Sequence, residues 1–180
     1  MFKKLRQLAQ KNKVPIISKA TEAFLKDLLQ KHSPDSILEI GSATWYSSLL
    51  IADSLKNQRS DWLVYSFEIS HLSFYLFLSN LRTYPFLLPY IKPFNFDFLR
   101  YPLKFLPEFD FVFIDAQKSL YHKFLLRALK RVKKPGHIVI DDILKFGTKT
   151  QNLYSYLQKL WLTYQIIPME KGDWLIYIKF

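Results

Sequence analysis

The chain contains no cysteine, which removes disulfides, thiolate metal sites and cysteine nucleophiles from consideration. Glycine is almost as scarce, at 4 of 180 residues, so a phosphate-cradling loop built on several glycines is not available. Apolar runs long enough for a membrane span are also missing. The ring-rich stretch from Phe74 to Ile91 is broken by Asn80, Arg82, Pro85 and Pro89. The start, Met1-Phe2-Lys3-Lys4-Leu5-Arg6, leads into further Lys and Gln and not into an apolar segment. No secretory signal is read there, and a cytoplasmic protein without membrane association is expected. The four histidines, His32, His71, His122 and His137, show no ligand spacing.

Acidic charge is in short supply as well: 15 Asp and Glu face 26 Lys and Arg, a formal net charge of +11. Residues 1–34 hold Lys3, Lys4, Arg6, Lys11, Lys13, Lys19, Lys26 and Lys31 against only Glu22 and Asp27, and a second cluster is Arg127, Lys130, Arg131, Lys133 and Lys134. Such clustering suits a polyanionic partner such as RNA, while a lysine-rich coat that keeps an apolar protein dissolved is the plainer alternative. The length and the 49% hydrophobic content fit one domain over residues 1–180, with 1–34 as a basic helical segment.

What the chain does have is regular alternation. Helical spacing covers 2–12 and 18–32, with Pro15 between them. Short apolar runs at 36–40, 62–67, 90–95, 110–114 and 137–140 read as strands, separated by helical stretches at 45–58, 71–83 and 118–131. A helix at 149–162 precedes two closing strands near 163–168 and 173–179, joined by the turn-like Glu170-Lys171-Gly172-Asp173. The pattern predicts an α/β fold: a mostly parallel seven-stranded sheet with a terminal antiparallel hairpin and helices on both faces. The rings of His71 to Tyr84 (Phe74, Tyr75, Phe77, Tyr84) read mainly as core packing, with a homodimer interface or an RNA-stacking face as alternatives.

Ligands of such sheets sit at the carboxyl ends of the strands. The first such end is Glu39-Ile40-Gly41-Ser42-Ala43-Thr44-Trp45-Tyr46-Ser47-Ser48, where a strand turns into a helix N-terminus that favours a carboxylate or phosphate. Glu68 ends the next strand and can accept hydrogen bonds from both hydroxyls of a ribose, or simply cap a helix. Asp97 follows the third strand, either beside an adenine edge or as an ordinary loop acid. Asp115-Ala116-Gln117-Lys118 and Asp141-Asp142 end two strands that are expected to be neighbours. Three carboxylates in one cleft require a cation or protons, and an all-oxygen set selects Mg²⁺, Mn²⁺ or Ca²⁺. Lys118 lies three residues beyond Asp115 and projects toward the same cleft.

These residues resemble the metal-dependent S-adenosylmethionine (SAM) O-methyltransferases of the catechol and caffeoyl-CoA type, and within them the bacterial tRNA 5-hydroxyuridine methyltransferases. The resemblance rests on Val14-Pro15-Ile16-Ile17-Ser18-Lys19-Ala20, Ile37-Leu38-Glu39-Ile40-Gly41, Tyr46-Ser47 and Phe113-Ile114-Asp115-Ala116 with Lys118 and Tyr121. It continues at Pro135-Gly136, Asp141, Leu144 and Tyr164-Gln165-Ile166-Ile167-Pro168. It implies a Rossmann-like methyltransferase fold, with Asp115, Asp141 and Asp142 at a metal and Lys118 as general base. It further implies a SAM site drawn from Glu39, Gly41, Ser42, Trp45, Ser47, Glu68, Asp97 and Asp115, and a tRNA acceptor.

Three departures from the pattern stand out. Trp45 stands where the family has a second glycine, and Asp142 stands where it has Asn. The segments before Val14 and after Leu144 are short, which opens the acceptor side. A small catechol-like acceptor, or a non-catalytic RNA-binding or scaffold protein with its SAM site closed by Trp45, are the competing expectations.

Overall fold

The computed structural model describes residues 2–11, 14–57, 61–143 and 147–180. Met1, Asn12, Lys13, Gln58, Leu144 and Lys145 of the sequence reading lie outside the described residues, as do the side chains of Phe2, Lys4 and Lys171. Two helices, α1 (Phe2–Lys11) and α2 (Lys19–His32), precede β1 (Ser36–Ile40). Then come α3 (Tyr46–Leu55), β2 (Leu63–Glu68), α4 (His71–Leu81), β3 (Ile91–Asn95), β4 (Phe109–Ile114), α5 (Tyr121–Ala128) and β5 (Val132–Ile140). The chain closes with α6 (Gly147–Lys159), β6 (Tyr164–Pro168) and β7 (Trp174–Lys179).

The seven strands form one sheet in the order β3-β2-β1-β4-β5-β7-β6. The first five run parallel, and β7 is antiparallel to both β5 and β6. This is the predicted architecture, and its reason is visible in β4. Phe111 and Phe113 face a layer with Leu25, Leu29, Leu49, Leu50 and Phe77 from α2, α3 and α4. Val112 and Ile114 face the opposite layer, with Leu125, Leu153 and Leu157 from α5 and α6. A strand apolar on both faces can only sit between two helical layers. Connections leave β1 in one direction and β4 in the other, so the crevice between their carboxyl ends is the switch point of the sheet.

Ends of elements follow local chemistry. Ser18 caps α2 by accepting from the Thr21 amide at 3.0 Å, and Ser70 caps α4 by accepting from Ser73 at 3.2 Å. Strand β5 begins at Val132, five residues before the predicted start at His137. Pro135-Gly136 reads as a break, and the pairing with β4 does shift there, but it resumes on both sides: Phe109 faces Val132 and Phe111 faces His137. The rings of α4 are only partly core. Phe77 and Leu81 are buried, whereas Leu72 and Tyr75 are each 71% exposed, so core packing explains one face of this helix and not the other. Among the described residues, no helix is long and apolar enough to cross a membrane.

Candidate active site

The βα turn after β1 is tied to both neighbouring strands through its backbone. The Gly41 amide donates to Phe67 O at 2.9 Å, and the Asp115 amide donates to Ile40 O at 3.0 Å. Gly41 has φ of 92°, and a Cβ on it would lie 2.3 Å from the Asp115 carbonyl oxygen. Only glycine lets β1 and β4 turn this close to each other.

A cavity of about 260 Å³ opens beside this turn. Its walls include Gly41, Ala43, Glu68, Asp97 and Asp115, with the rings of Phe67, Phe96 and Phe98. The Glu68 carboxylate accepts from the Ala43 amide at 2.8 Å and the Ser70 amide at 2.7 Å, one on each oxygen. Two carboxylate oxygens offer about four acceptor sites, so Glu68 is oriented by the backbone and still presents lone pairs to the cavity. Asp97 receives the Leu99 amide at 2.9 Å while lining the cavity. The slot is apolar, with aromatic walls and carboxylates at its rim. Ser42 and Ser47 line a smaller recess next to it, at the N-terminus of α3.

Two sequence candidates stand apart from these cavities. Trp45 has φ of 120° and ψ of −19° at the position before α3, a backbone conformation that suits glycine. Its ring, 4% exposed, packs in the core layer with residues such as Leu49 and Phe77 and lines neither recess. The ring therefore does not fill the place beside Gly41. Glu39 is fully buried beneath the turn, accepting from Ser66 Oγ at 2.6 Å and from Ser48 Oγ. Burial pushes its carboxyl up, against the hydroxyls of Ser47, Ser48 and Ser66. It supports the turn from below and does not reach the cavity surface.

The ends of β4 and β5 meet in a larger cleft, of about 820 Å³, lined by Asp115, Lys118, Asp141, Asp142, Glu170 and Asp173 among others. Lys118 Nζ donates to Asp115 Oδ1 at 2.7 Å and to the Tyr121 hydroxyl at 2.6 Å, and lies 3.5 Å from Asp142 Oδ2. The Tyr121 hydroxyl in turn donates to Asp141 O at 2.9 Å, and its ring is fully buried. Tyr121 thus fixes the lysine to the end of β5. Burial lowers the Lys118 pKa, but Asp115, Asp142 and Asp141 outweigh it and hold the ammonium charged. Asp141 is 2% exposed and takes a 3.2 Å hydrogen bond from Thr21 Oγ1. Burial, with repulsion from Asp115 and Asp173, drives its carboxyl well above the ordinary range. Asp142 has φ of 62°, in the left-handed region that Asp tolerates better than most residues.

The donor set is all oxygen and over-supplied with negative charge, which suits a hard divalent cation in kind. Among the described residues, no three acid or histidine side chains converge closely enough to hold a metal ion; the ammonium of Lys118 stands among them instead. Thr21, Tyr121, Glu170 and Asp173 were not predicted as site residues. Tyr121 carries a signal in the Lys-x-x-Tyr spacing, whereas Thr21 and Asp173 arrive from remote elements and leave no local signature.

The seven-stranded arrangement is the Rossmann-like methyltransferase fold. Residues 99–165 match the sequence model of the O-methyltransferase family. A Staphylococcus aureus structure, provisionally described as a caffeoyl-CoA O-methyltransferase, superposes with a TM-score of 0.86 at 24% identity, covering 99% of this chain and 91% of that one. A Bacillus cereus O-methyltransferase in complex with SAH gives a TM-score of 0.79 at 21% identity, covering 99% and 90%. In sequence, a segment of 44 residues is 50% identical to tapetum-specific methyltransferase 1 of Arabidopsis thaliana, 24% of this chain and 19% of that one.

Proposed function

We propose that the chain transfers the methyl group of SAM to an acceptor hydroxyl, with divalent-metal assistance. One observation carries the reading: the nucleoside slot and the acid–lysine cleft share the wall formed by Ala43, Asp115 and Ala116. A cofactor in the slot would present its sulfonium methyl to an oxygen in the cleft.

The residues divide the work. Glu68 binds the ribose diol, Asp97 the adenine edge, and Ser42, Ser47 and the N-terminus of α3 the amino-acid end of the cofactor. Lys118 Nζ is placed to take the hydroxyl proton, which it can do only as the neutral amine, after its own proton has left for solvent and its pairing with Asp115 has loosened. The oxygen then forms a bond to the methyl carbon, the carbon–sulfur bond breaks, and the electron pair stays on a neutral thioether. Holding oxygen, methyl and sulfur in line supplies much of the acceleration. A Mg²⁺, Mn²⁺ or Ca²⁺ ion would supply a Lewis acid for the acceptor oxygen only if the carboxylates of Asp115, Asp141 and Asp142 drew closer together than they stand here and Lys118 moved aside.

For the acceptor, the basic N-terminal segment and the resemblance favour hydroxyuridine in tRNA. Tritiated SAM is offered with hydroxyuridine-containing tRNA or with catechol, each with Mg²⁺ or Mn²⁺. Metal-dependent label in tRNA supports the full reading, and label in catechol alone moves the acceptor to a small molecule. No transfer to either, together with no SAM binding, sinks the methyltransferase reading.

A further inference from the structure

We propose that the groove between α1 and α2 seats the phosphates of the acceptor. The position of the reacting oxygen rests on the methyl-transfer reading; the groove and its charge do not. The groove measures about 510 Å³ and is lined by Lys3, Arg6, Gln7, Gln10, Lys19 and Lys26, with Glu22 and Tyr46 at its floor. Glu22 is the one carboxylate in that lining, and it is already engaged. It accepts from Arg6 at 2.7 Å, from Lys26 at 2.7 Å and from the Tyr46 hydroxyl at 2.6 Å. Against the cost of burial, these partners bring its pKa down to about 2, so the acid stays ionised and tied to the floor. Four cations surround one spent anion, while Lys3, Lys19, Gln7 and Gln10 remain exposed. Ammonium and amide donors in a concave surface suit phosphate oxygens.

The groove is continuous with the acid cleft, since Arg6, Gln10 and Lys19 line both. One surface therefore runs from strongly acidic, at Asp115 and Asp141, to strongly basic at α1 and α2. A neutral phenol engages only the first half. An acceptor whose hydroxyl lies several bonds from phosphate engages both.

The other basic cluster is not part of this track. Arg127 is spent on the carbonyls of Phe98 and Tyr101, Lys133 on Asp110 at 2.9 Å, and Lys134 on the Phe180 ring at 4.4 Å. Lys133 and Lys134 also lie at the amino end of β5, roughly 25 Å from Asp141 at about 3.3 Å per strand residue, and Arg131 precedes them.

The test is a binding titration of the intact protein with a short oligouridylate and, separately, with pyrophosphate, over a salt series. The Lys3→Ala/Lys19→Ala pair is expected to weaken the bound probe several-fold. For the oligonucleotide it also lowers the salt slope by about 1.4, at ~0.7 per phosphate contact on a single strand. SAH affinity, measured calorimetrically on the same samples, stays unchanged and reports separately on the cofactor site. The Lys130→Ala/Arg131→Ala pair leaves probe binding as in the wild type. Loss with oligouridylate assigns the phosphates to a polynucleotide, and loss with pyrophosphate alone assigns them to a small phosphoester. Wild-type protein that binds neither probe, or binding sensitive to the 130–131 pair and not to the Lys3/Lys19 pair, overturns the proposal.

Discussion

At the scale of single residues, Glu68, Lys118 and Trp45 carry distinct consequences. Glu68 is fixed by the Ala43 and Ser70 amides, and a hydrogen bond to a charged group contributes about 1.5–3 kcal/mol. Glu68→Gln is therefore expected to weaken SAH binding by roughly 10- to 100-fold, read by calorimetry. Lys118→Met should lower kcat by about 10²- to 10⁴-fold with little change in SAH affinity, because Lys118 lines the cleft and not the nucleoside slot. Trp45→Gly relieves a strained φ but removes a buried ring. The loss of packing dominates, so a net destabilisation of about 1–4 kcal/mol is expected, with no gain in SAH affinity. A gain would mean that the ring does obstruct the cofactor. The Trp45 departure was legible from the sequence as a substituted glycine. The direction of its ring was not, because that depends on the core vacancy offered by α3 and α4.

At the scale of elements, the turn after β1 is where fold and site are the same object. Gly41→Ala places a methyl 2.3 Å from the Asp115 carbonyl oxygen, so either β1 or β4 must move. A cost of at least about 1–3 kcal/mol is expected, and SAH binding should fall with it, since Asp115 lines both cavities. Thermal unfolding and calorimetry on one sample check this, and an unperturbed Tm would contradict the close approach. Strand ends were the most readable part of the sequence, because apolar runs that stop at Gly41, Glu68, Asp115 and Asp141 mark the strands and the polar groups that line the candidate site. What stayed hidden was contact between distant elements. Thr21 reaches Asp141 across 120 positions, and nothing local marks either partner. Strand β5 was read short because Pro135-Gly136 looks like a terminator, while pairing on both sides of it carries the strand through.

At the scale of the whole molecule, acid sensitivity follows from two groups at separate places. His137 is 7% exposed, lies with its ring 3.8 Å from the tilted ring of His32, and has its pKa lowered to about 4 by burial and then by His32 and Lys179. The unfolded chain binds a proton there below about pH 6.5, while the folded chain resists it down to about 4. Stability therefore falls as pH drops from 6.5 to 4. Glu22, with its pKa lowered to about 2, adds stability above its ordinary value that is lost as pH falls toward 2. His137→Asn should flatten the decline in Tm between pH 6.5 and 4 and leave the steeper loss below it; an unaltered decline would remove His137 from this account.

The global charge also divides in a way composition could not reveal. The cluster at 127–134 is largely committed to carbonyls, Asp110 and a ring, and the N-terminal cluster adjoins the cleft. The central claim is that the slot holding Glu68 is a SAM site continuous with a methyl-transfer cleft. Calorimetric titration of SAH into wild-type and Glu68→Gln protein tests it most directly. One site per chain in the wild type, weakened by at least about tenfold in the variant, is the predicted result. No heat of binding in the wild type, or equal affinity in both proteins, would contradict it.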